Sequence, residues 1–318
     1  MPPASALRPQ ILCLAGATAA GKSEIALLLA EHLNGEIISV DSMQVYRGLD
    51  IGTAKPSDAE RRRITHHLLD VAELTESFDA TKFSRLAHAA VSEIQAREKL
   101  PILCGGTGLY FKAFFDGLGD APPANASLRA ELEATPLPDL LHELEQRDPA
   151  SFAVIDRKNP RRVIRAVEVI RLTGKPFSEQ RASWPSSDLP SGAMIKARAP
   201  HFFGILRETP DLHCRINERV DRMFQRGLVN EVQELLRHGL AANRTATQAI
   251  GYRQAIEHLR GERSLPETIE LVKIRTRQFS KRQMTWFRRH ARVDWIAVGA
   301  EEPADTVSQR IIRAMEKE

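Results

Sequence analysis

Three short stretches carry residue types at spacings that suit chemistry. Gly16-Ala17-Thr18-Ala19-Ala20-Gly21-Lys22-Ser23 follows the pattern Gly-x4-Gly-Lys-Ser. This spacing lets successive backbone N–H groups close around phosphate oxygens and aims a helix N-terminus at the charge. It also sets one ammonium, Lys22, and one hydroxyl, Ser23, beside the anion. Lys22 is assigned to the phosphates and Ser23 to a Mg2+ ion carried with them. Asp41 ends the apolar run Glu36-Ile-Ile-Ser-Val. Its carboxylate is either a general base or a cap of the turn that follows, and the residues alone leave both roles open. Gly105-Gly106-Thr107-Gly108 lets backbone approach a ligand and offers a hydroxyl, but it reads equally well as a plain strand-to-helix turn. Taken together, the loop, Lys22 and Mg2+ can stabilise a phosphate or diphosphate leaving group while Asp41 takes a proton from a nucleophile. A kinase and a group transferase both satisfy that description.

The elements that must hold these residues are those of an α/β fold. Residues 11–15 read as a buried strand, 24–33 as a helix, 36–41 as a second strand and 100–104 as another, each delivering its motif at a carboxyl end, where open parallel sheets bind ligands. Apolar residues at Phe83, Leu86, Ala87, Ala90, Val91 and Ile94 predict a helix over 81–97. A short apolar run, 67–71, precedes it. From Gly117 the composition turns Pro/Ala-rich, and helices are predicted over 128–147 and 160–172. The stretch 184–200 has little pattern, and 202–206 is strand-like again. Helices follow over 211–226, 229–238, 249–260 and 266–289, then a strand over 293–298 and an amphipathic tail helix. The chain is therefore expected to be an α/β protein: a P-loop nucleotide-binding-like core with a parallel sheet, 1–117 and 201–318, and a mostly helical insertion, 118–200.

Composition narrows the partners. With 318 residues, 42% hydrophobic and a net charge of +4, the chain suits a globular protein and has no apolar run of bilayer length. Met1 to Gln10 has no signal-peptide character, so a cytoplasmic address is expected. Cys13, Cys104 and Cys214 are few and scattered, and are expected to be buried thiols without a disulfide or structural zinc. The mild net charge hides two basic segments. Residues 157–182 contain Arg157, Lys158, Arg161, Arg162, Arg165, Arg171, Lys175 and Arg181 against Glu168 and Glu179. Residues 273–292 contain Lys273, Arg275, Arg277, Lys281, Arg282, Arg288, Arg289 and Arg292 against no acid. Such segments suggest a polyanion larger than a nucleotide. Solvated helix faces remain the plainer account of the arginines, and core packing that of Phe279, Trp286 and Phe287 between them.

The chain resembles the tRNA dimethylallyltransferases (tRNA isopentenyltransferases) of bacterial type. The resemblance rests on the phosphate loop and on Asp41-Ser-Met-Gln-Val-Tyr-Arg-Gly-Leu-Asp-Ile-Gly-Thr-Ala-Lys-Pro56, which ordinary phosphate-loop kinases lack. It extends through Gly105-Gly-Thr-Gly-Leu-Tyr110, Asn159-Pro-Arg-Arg-Val-Ile-Arg-Ala166, Gly251-Tyr-Arg-Gln254 and Lys281-Arg-Gln-Met-Thr-Trp286. It implies transfer of a dimethylallyl group from dimethylallyl diphosphate to N6 of the adenine 3′ of the anticodon. Asp41, Thr107 and Lys22 would be catalytic, with Thr107 where diphosphate and adenine meet. The loop from Gly16 to Ser23 would bind diphosphate, joined by Arg215 or Arg219, which the sequence does not separate. Ser42, Met43 and Gln44 would contact the extruded base, and Arg129, Arg161, Arg162, Val163, Ile164 and Arg165 the anticodon stem-loop. Gln248, Ala249, Ile250, Gly251, Tyr252 and Arg253 would lie on the RNA near the target. Gln248 stands where some relatives have arginine, and no Cys/His finger follows residue 298, which favours the bacterial form. A monomer is expected. The alternatives are an adenylate isopentenyltransferase acting on a free nucleotide, a nucleotide kinase, and a non-catalytic RNA-binding protein that senses a nucleotide. The basic insertion argues against the first.

Overall fold

The computed structural model describes residues 11–119, 121–180 and 201–316. The expectations for Met1–Gln10 and for the low-pattern stretch 184–200 lie outside them. Six parallel strands form one sheet: β1 (Leu12–Gly16), β2 (Gly35–Val40), β3 (His66–His67), β4 (Leu100–Gly105), β5 (His201–Leu206) and β6 (Asp294–Ala297). Their order is β3-β2-β4-β1-β5-β6. β1 and β2 are buried throughout, as strands covered on both faces are.

The register decides where the chemistry goes. β4 lies between β2 and β1, with Gly105 opposite both Val40 and Ala15. The carboxyl ends of β2, β4 and β1 are thus level, and the segments that leave them, Asp41, Gly106-Thr107 and the phosphate loop, emerge side by side. On the other side of β1, β5 delivers Arg207 at the same end.

The helices are α1 (Lys22–His32), α2 (Asp58–Arg63), α3 (Ala80–Ala96), α4 (Gly108–Asp116), α5 (Ala126–Ala134), α6 (Leu137–Arg147), α7 (Pro149–Val154), α8 (Pro160–Thr173) and α9 (Phe177–Gln180). After β5 come α10 (Thr209–Gln225), α11 (Leu228–Arg237), α12 (Tyr252–Leu259), α13 (Leu265–His290) and α14 (Ala304–Met315). α13 starts at a capping box in which Ser264 and Glu267 satisfy each other's backbone N–H. Among the described residues no helix is long and apolar enough to cross a membrane.

The chain divides into two compact units, Met1–Phe115 with Pro190–Glu318, and Asp116–Leu189. The first packs α1, α10 and α14 on the sheet through Leu29, Ile216, Val307 and Ile311. The second is a helical cluster closed around Leu132, Leu144, Val163, Val167 and Ile170.

Three local expectations need correction. The single helix over 128–147 is two, because Pro136 cannot continue α5 and instead precedes the first turn of α6. The helix expected from 249 starts at Tyr252, after a 3-10 turn over Ala246–Gln248. Cys214 is exposed on α10 while Leu212, Ile216 and Val220 hold that helix's apolar face.

Candidate active site

The phosphate loop is a strapped backbone with its N–H groups left open. Gly21 sits at φ 97° before α1, with no side-chain cap on the helix. Its positive φ is what brings the loop round into the helix axis, and a side chain there would strain it. Ala20 N–H bonds to Ala17 O at 3.3 Å, and Lys22 Nζ donates to the same carbonyl at 2.6 Å. From outside, Arg215 Nε donates to Ala19 O at 3.1 Å and Arg207 Nε to Ala20 O at 2.9 Å. Arg207 is itself fixed by Asp211 at 2.8 Å. The carbonyls are thus turned outward and satisfied. Among the described residues, the N–H groups of Ala19, Gly21, Lys22 and Ser23 have no protein partner. Uncapped N–H groups at a helix start, with the helix dipole behind them, form an anion cradle.

Thr18 departs from this pattern, because its N–H is taken by Gln283 Oε1 at 2.9 Å. Only its hydroxyl is left for an anion.

The electrostatics agree with the backbone. Burial pulls the Lys22 ammonium down to about 8; Cys104 and Asp41 oppose the shift by smaller amounts, and the Arg219 guanidinium adds to it. Burial also lowers the Arg219 guanidinium, against the favourable charge of Asp41 and with the unfavourable one of Arg222. Arg219 makes one long hydrogen bond, 3.3 Å to Thr53 O, and among the described residues no ion pair. Two cations desolvated together with one nearby carboxylate form a site short of negative charge. Arg215 and Arg219, inseparable in sequence, have different tasks here: Arg215 braces the loop, and Arg219 keeps an uncommitted guanidinium beside Lys22.

Asp41 takes the capping role, one of the two the sequence left open. Its Oδ1 accepts from Met43 N–H at 2.8 Å and Gln44 N–H at 3.2 Å, which caps the turn. Its Oδ2 accepts no hydrogen bond among the described residues. Thr107 Oγ1 accepts from Ser42 N–H at 3.3 Å, so its own proton is free to be donated. The Gln44 amide is engaged internally, with Ser39 Oγ at 2.8 Å and the carbonyls of Thr53 and Ala54 at 3.2 and 3.4 Å.

The rest of the 41–56 motif holds this rim in place. Lys55, with a side chain only 2% exposed, ion-pairs with Asp50 and Asp70 and donates to Tyr46 O at 2.6 Å. Glu231 on α11 accepts from Ile51 N–H at 2.8 Å and Gly52 N–H at 3.4 Å.

Several residues expected at RNA are placed otherwise. Tyr252 is fully buried and donates its hydroxyl to Glu231 at 2.6 Å, so it supports the Ile51-Gly52 loop. Ala249 and Gly251 are buried beside it, whereas Gln248 and Arg253 are exposed and bonded to each other at 3.2 Å. In the helical unit Val163 and Ile164 belong to its core, and Arg129 and Arg165 share the buried carboxylate of Glu168 at 2.5 and 2.8 Å. Arg171 pairs with Glu131 and Glu143. What is exposed without an ion pair among the described residues is Arg157, whose guanidinium lies over the Phe152 ring, with Lys158, Arg161, Arg162 and Lys175. On α13, Phe287 is core as expected, but Phe279 is exposed with Arg282 over its ring at 5.8 Å.

Fold and site together define a class: α/β proteins whose phosphate loop faces a free carboxylate across level strand ends. The sequence profile described as IPP transferase matches residues 44–290. The chain belongs to the IPP transferase family. The tRNA dimethylallyltransferase 1 of Trichlorobacter lovleyi is 45% identical over 295 residues, 92% of this chain and 94% of that one. That of Pelotomaculum thermopropionicum is 42% identical over 315 residues, 96% of each chain. Among solved structures, the tRNA isopentenylpyrophosphate transferase of Bacillus halodurans is 37% identical with a TM-score of 0.67, covering 96% of this chain and 97% of that one. A eukaryotic dimethylallyltransferase described as acting on tRNA has a TM-score of 0.73 at 27% identity, covering 96% and 77%.

Proposed function

We propose that this chain transfers a dimethylallyl group from dimethylallyl diphosphate to N6 of the adenine 3′ of the anticodon in tRNA, releasing diphosphate. The observation that carries the reading is the juxtaposition of a positively charged, amide-lined loop with the unoccupied Oδ2 of Asp41. Adenine N6 is a weak nucleophile because its lone pair is delocalised into the ring. As the N6–C bond forms, Asp41 takes the N6 proton, and the allylic C–O bond breaks with its electron pair left on diphosphate. Lys22, Arg219 and the open loop N–H groups stabilise that charge, and the Thr107 hydroxyl donates a hydrogen bond to an oxygen of the leaving group. The exposed hydroxyl of Ser23, on the first turn of α1 and without a protein partner among the described residues, would suit a Mg2+ ion. Such an ion supplies further charge neutralisation of the leaving group.

The acceptor is assigned to the anticodon stem-loop, where an unpaired adenine reaches a pocket at little cost. The exposed Arg161 and Arg162, and Gln248 and Arg253, are proposed to meet the RNA backbone. A cytoplasmic monomer goes with this reading, and free cysteines in the core suit a reducing compartment.

Labelled dimethylallyl diphosphate offered to unmodified tRNA and AMP together, with Mg2+, tests the reading. Label is expected in tRNA. Label in AMP alone establishes the adenylate enzyme instead, and label in neither overturns prenyl transfer.

A further inference from the structure

Gln283 lies on the inward side of α13, 8% exposed. Its side-chain Oε1 accepts from Thr18 N–H at 2.9 Å and its Nε2 donates to Gly106 O at 3.0 Å. We propose that Gln283 is a positioning residue for the transfer, fixing the spacing between the diphosphate loop and the Gly106-Thr107 turn. The proposal rests on the transferase reading above.

The chemistry of the contact is selective. One partner is a donor and the other an acceptor, so only a neutral amide in a single orientation satisfies both. A glutamate would set a second acceptor against the Gly106 carbonyl, and an alanine would leave both backbone groups without this partner. The turn is shaped to admit the amide, since a Cβ on Gly106 would lie 2.2 Å from Gln283 Nε2. One helical turn further on, Trp286 covers Gly108, where a Cβ would meet its ring at 2.0 Å. The same face of α13 therefore buttresses the whole Gly106–Gly108 turn.

The bridge is also continuous with the reacting groups. Thr18 belongs to the loop that receives the leaving group. Gly106 precedes Thr107, whose Oγ1 holds Ser42 N–H at 3.3 Å, and Ser42 follows Asp41. Gln283 is the link that joins the leaving-group side of this path to the base side. Transfer between bound partners depends on reacting atoms held within a fraction of an ångström, and misplacement of about 1 Å costs on the order of 10²-fold.

The test compares Gln283→Ala, Gln283→Glu, Gly106→Ala and the double variant Gln283→Ala/Gly106→Ala. Each is assayed for transfer to an unmodified anticodon stem-loop RNA, for binding of inorganic diphosphate by calorimetry, and for thermal unfolding. The proposal predicts that kcat falls about 10- to 100-fold in each folded single variant while KM for the stem-loop stays within threefold. It also predicts that the double variant loses no more than the worse single one, because both changes break one link. The KM-against-kcat split and the non-additivity are readouts that a general loss of stability would not produce. If Gln283→Ala fails to fold, Gln283→Glu, which keeps the Thr18 bond, decides on the same criteria. A kcat within twofold of wild type in the folded Gln283 variants, or losses that multiply in the double variant, overturns the proposal. A wild type that binds diphosphate but modifies no stem-loop overturns the transferase reading, and this assignment with it.

Discussion

At the amino end of β2 the buried carboxylate of Glu36 meets Arg97 at 2.7 Å, Lys99 at 3.0 Å and the His67 imidazole at 2.7 Å. Burial raises its pKa, but the hydrogen bonds from Arg97, His67 and Lys99 outweigh it and hold the group at about 2. At the carboxyl end of the same strands, Lys22 and Arg219 are desolvated with Asp41 as a nearby counter-charge, one of whose oxygens is engaged by backbone N–H groups. Charge saturated by partners serves the fold, because every group has already given up its water for a better contact. Charge left unsaturated costs stability and is retained where a ligand completes it.

The contrast is sharpest at Asp41. Asparagine keeps an Oδ1 to cap the 42–44 turn but cannot take a proton, so Asp41→Asn is expected to fold normally and lose about 10²–10⁴ in kcat. Equal activity in steady-state transfer would break the assignment of the base. Next in size is Lys22→Ala, expected to lower kcat/KM for the prenyl donor by about 10²–10³ through lost stabilisation of diphosphate. The same ammonium sets a pH dependence. With its pKa at about 8, the cation is present below that value and lost above it, so kcat/KM for the donor should fall as pH rises past 8. Lys22→Arg should remove that limb of the profile.

The saturated end should respond in stability and not in rate. Glu36→Gln exchanges charged hydrogen bonds for neutral ones and is expected to cost about 2 kcal/mol in denaturant unfolding, with kcat unchanged in the folded protein. Its pH dependence follows from the lowered pKa. The stabilisation is fully present above the ordinary value of 4.5 and is lost as pH falls toward 2, so the gap between wild type and variant should close over that window. Smallest is Tyr252→Phe, which removes one bond to Glu231 and should loosen the Ile51-Gly52 loop by about 1 kcal/mol. If Tyr252 touched RNA directly, the change would instead appear in KM for the stem-loop.

Local sequence carried the parts of the site that are local in space. A strand, a Gly-rich turn and a helix start are contiguous, so the phosphate loop and Asp41 were legible at once. The Thr18–Gln283 bond, whose ends are 265 positions apart, has no local trace. Roles inherited by whole motifs also misplaced Val163 and Tyr252, because a motif mixes side chains that face outward with those that pack. The corrective signal was present for Val163, since Val163, Val167 and Ile170 recur at helical spacing and mark a buried stripe. Counting Glu168 as one of two acids against eight bases likewise missed its position: three residues after Arg165, it takes both that arginine and Arg129 out of the free surface.

The central claim is that the open end of the sheet divides its labour, cations for the leaving group and Asp41 for the proton. Inorganic diphosphate affinity and single-turnover transfer to a stem-loop RNA, measured on the same preparation of Asp41→Asn, test it most directly. Removing a negative charge beside Lys22 and Arg219 should leave diphosphate bound as tightly as in wild type or more so, while transfer falls at least 100-fold. Weakened diphosphate binding with a proportionate loss of transfer would contradict the account, because Asp41 would then belong to the scaffold of the loop and not to the chemistry.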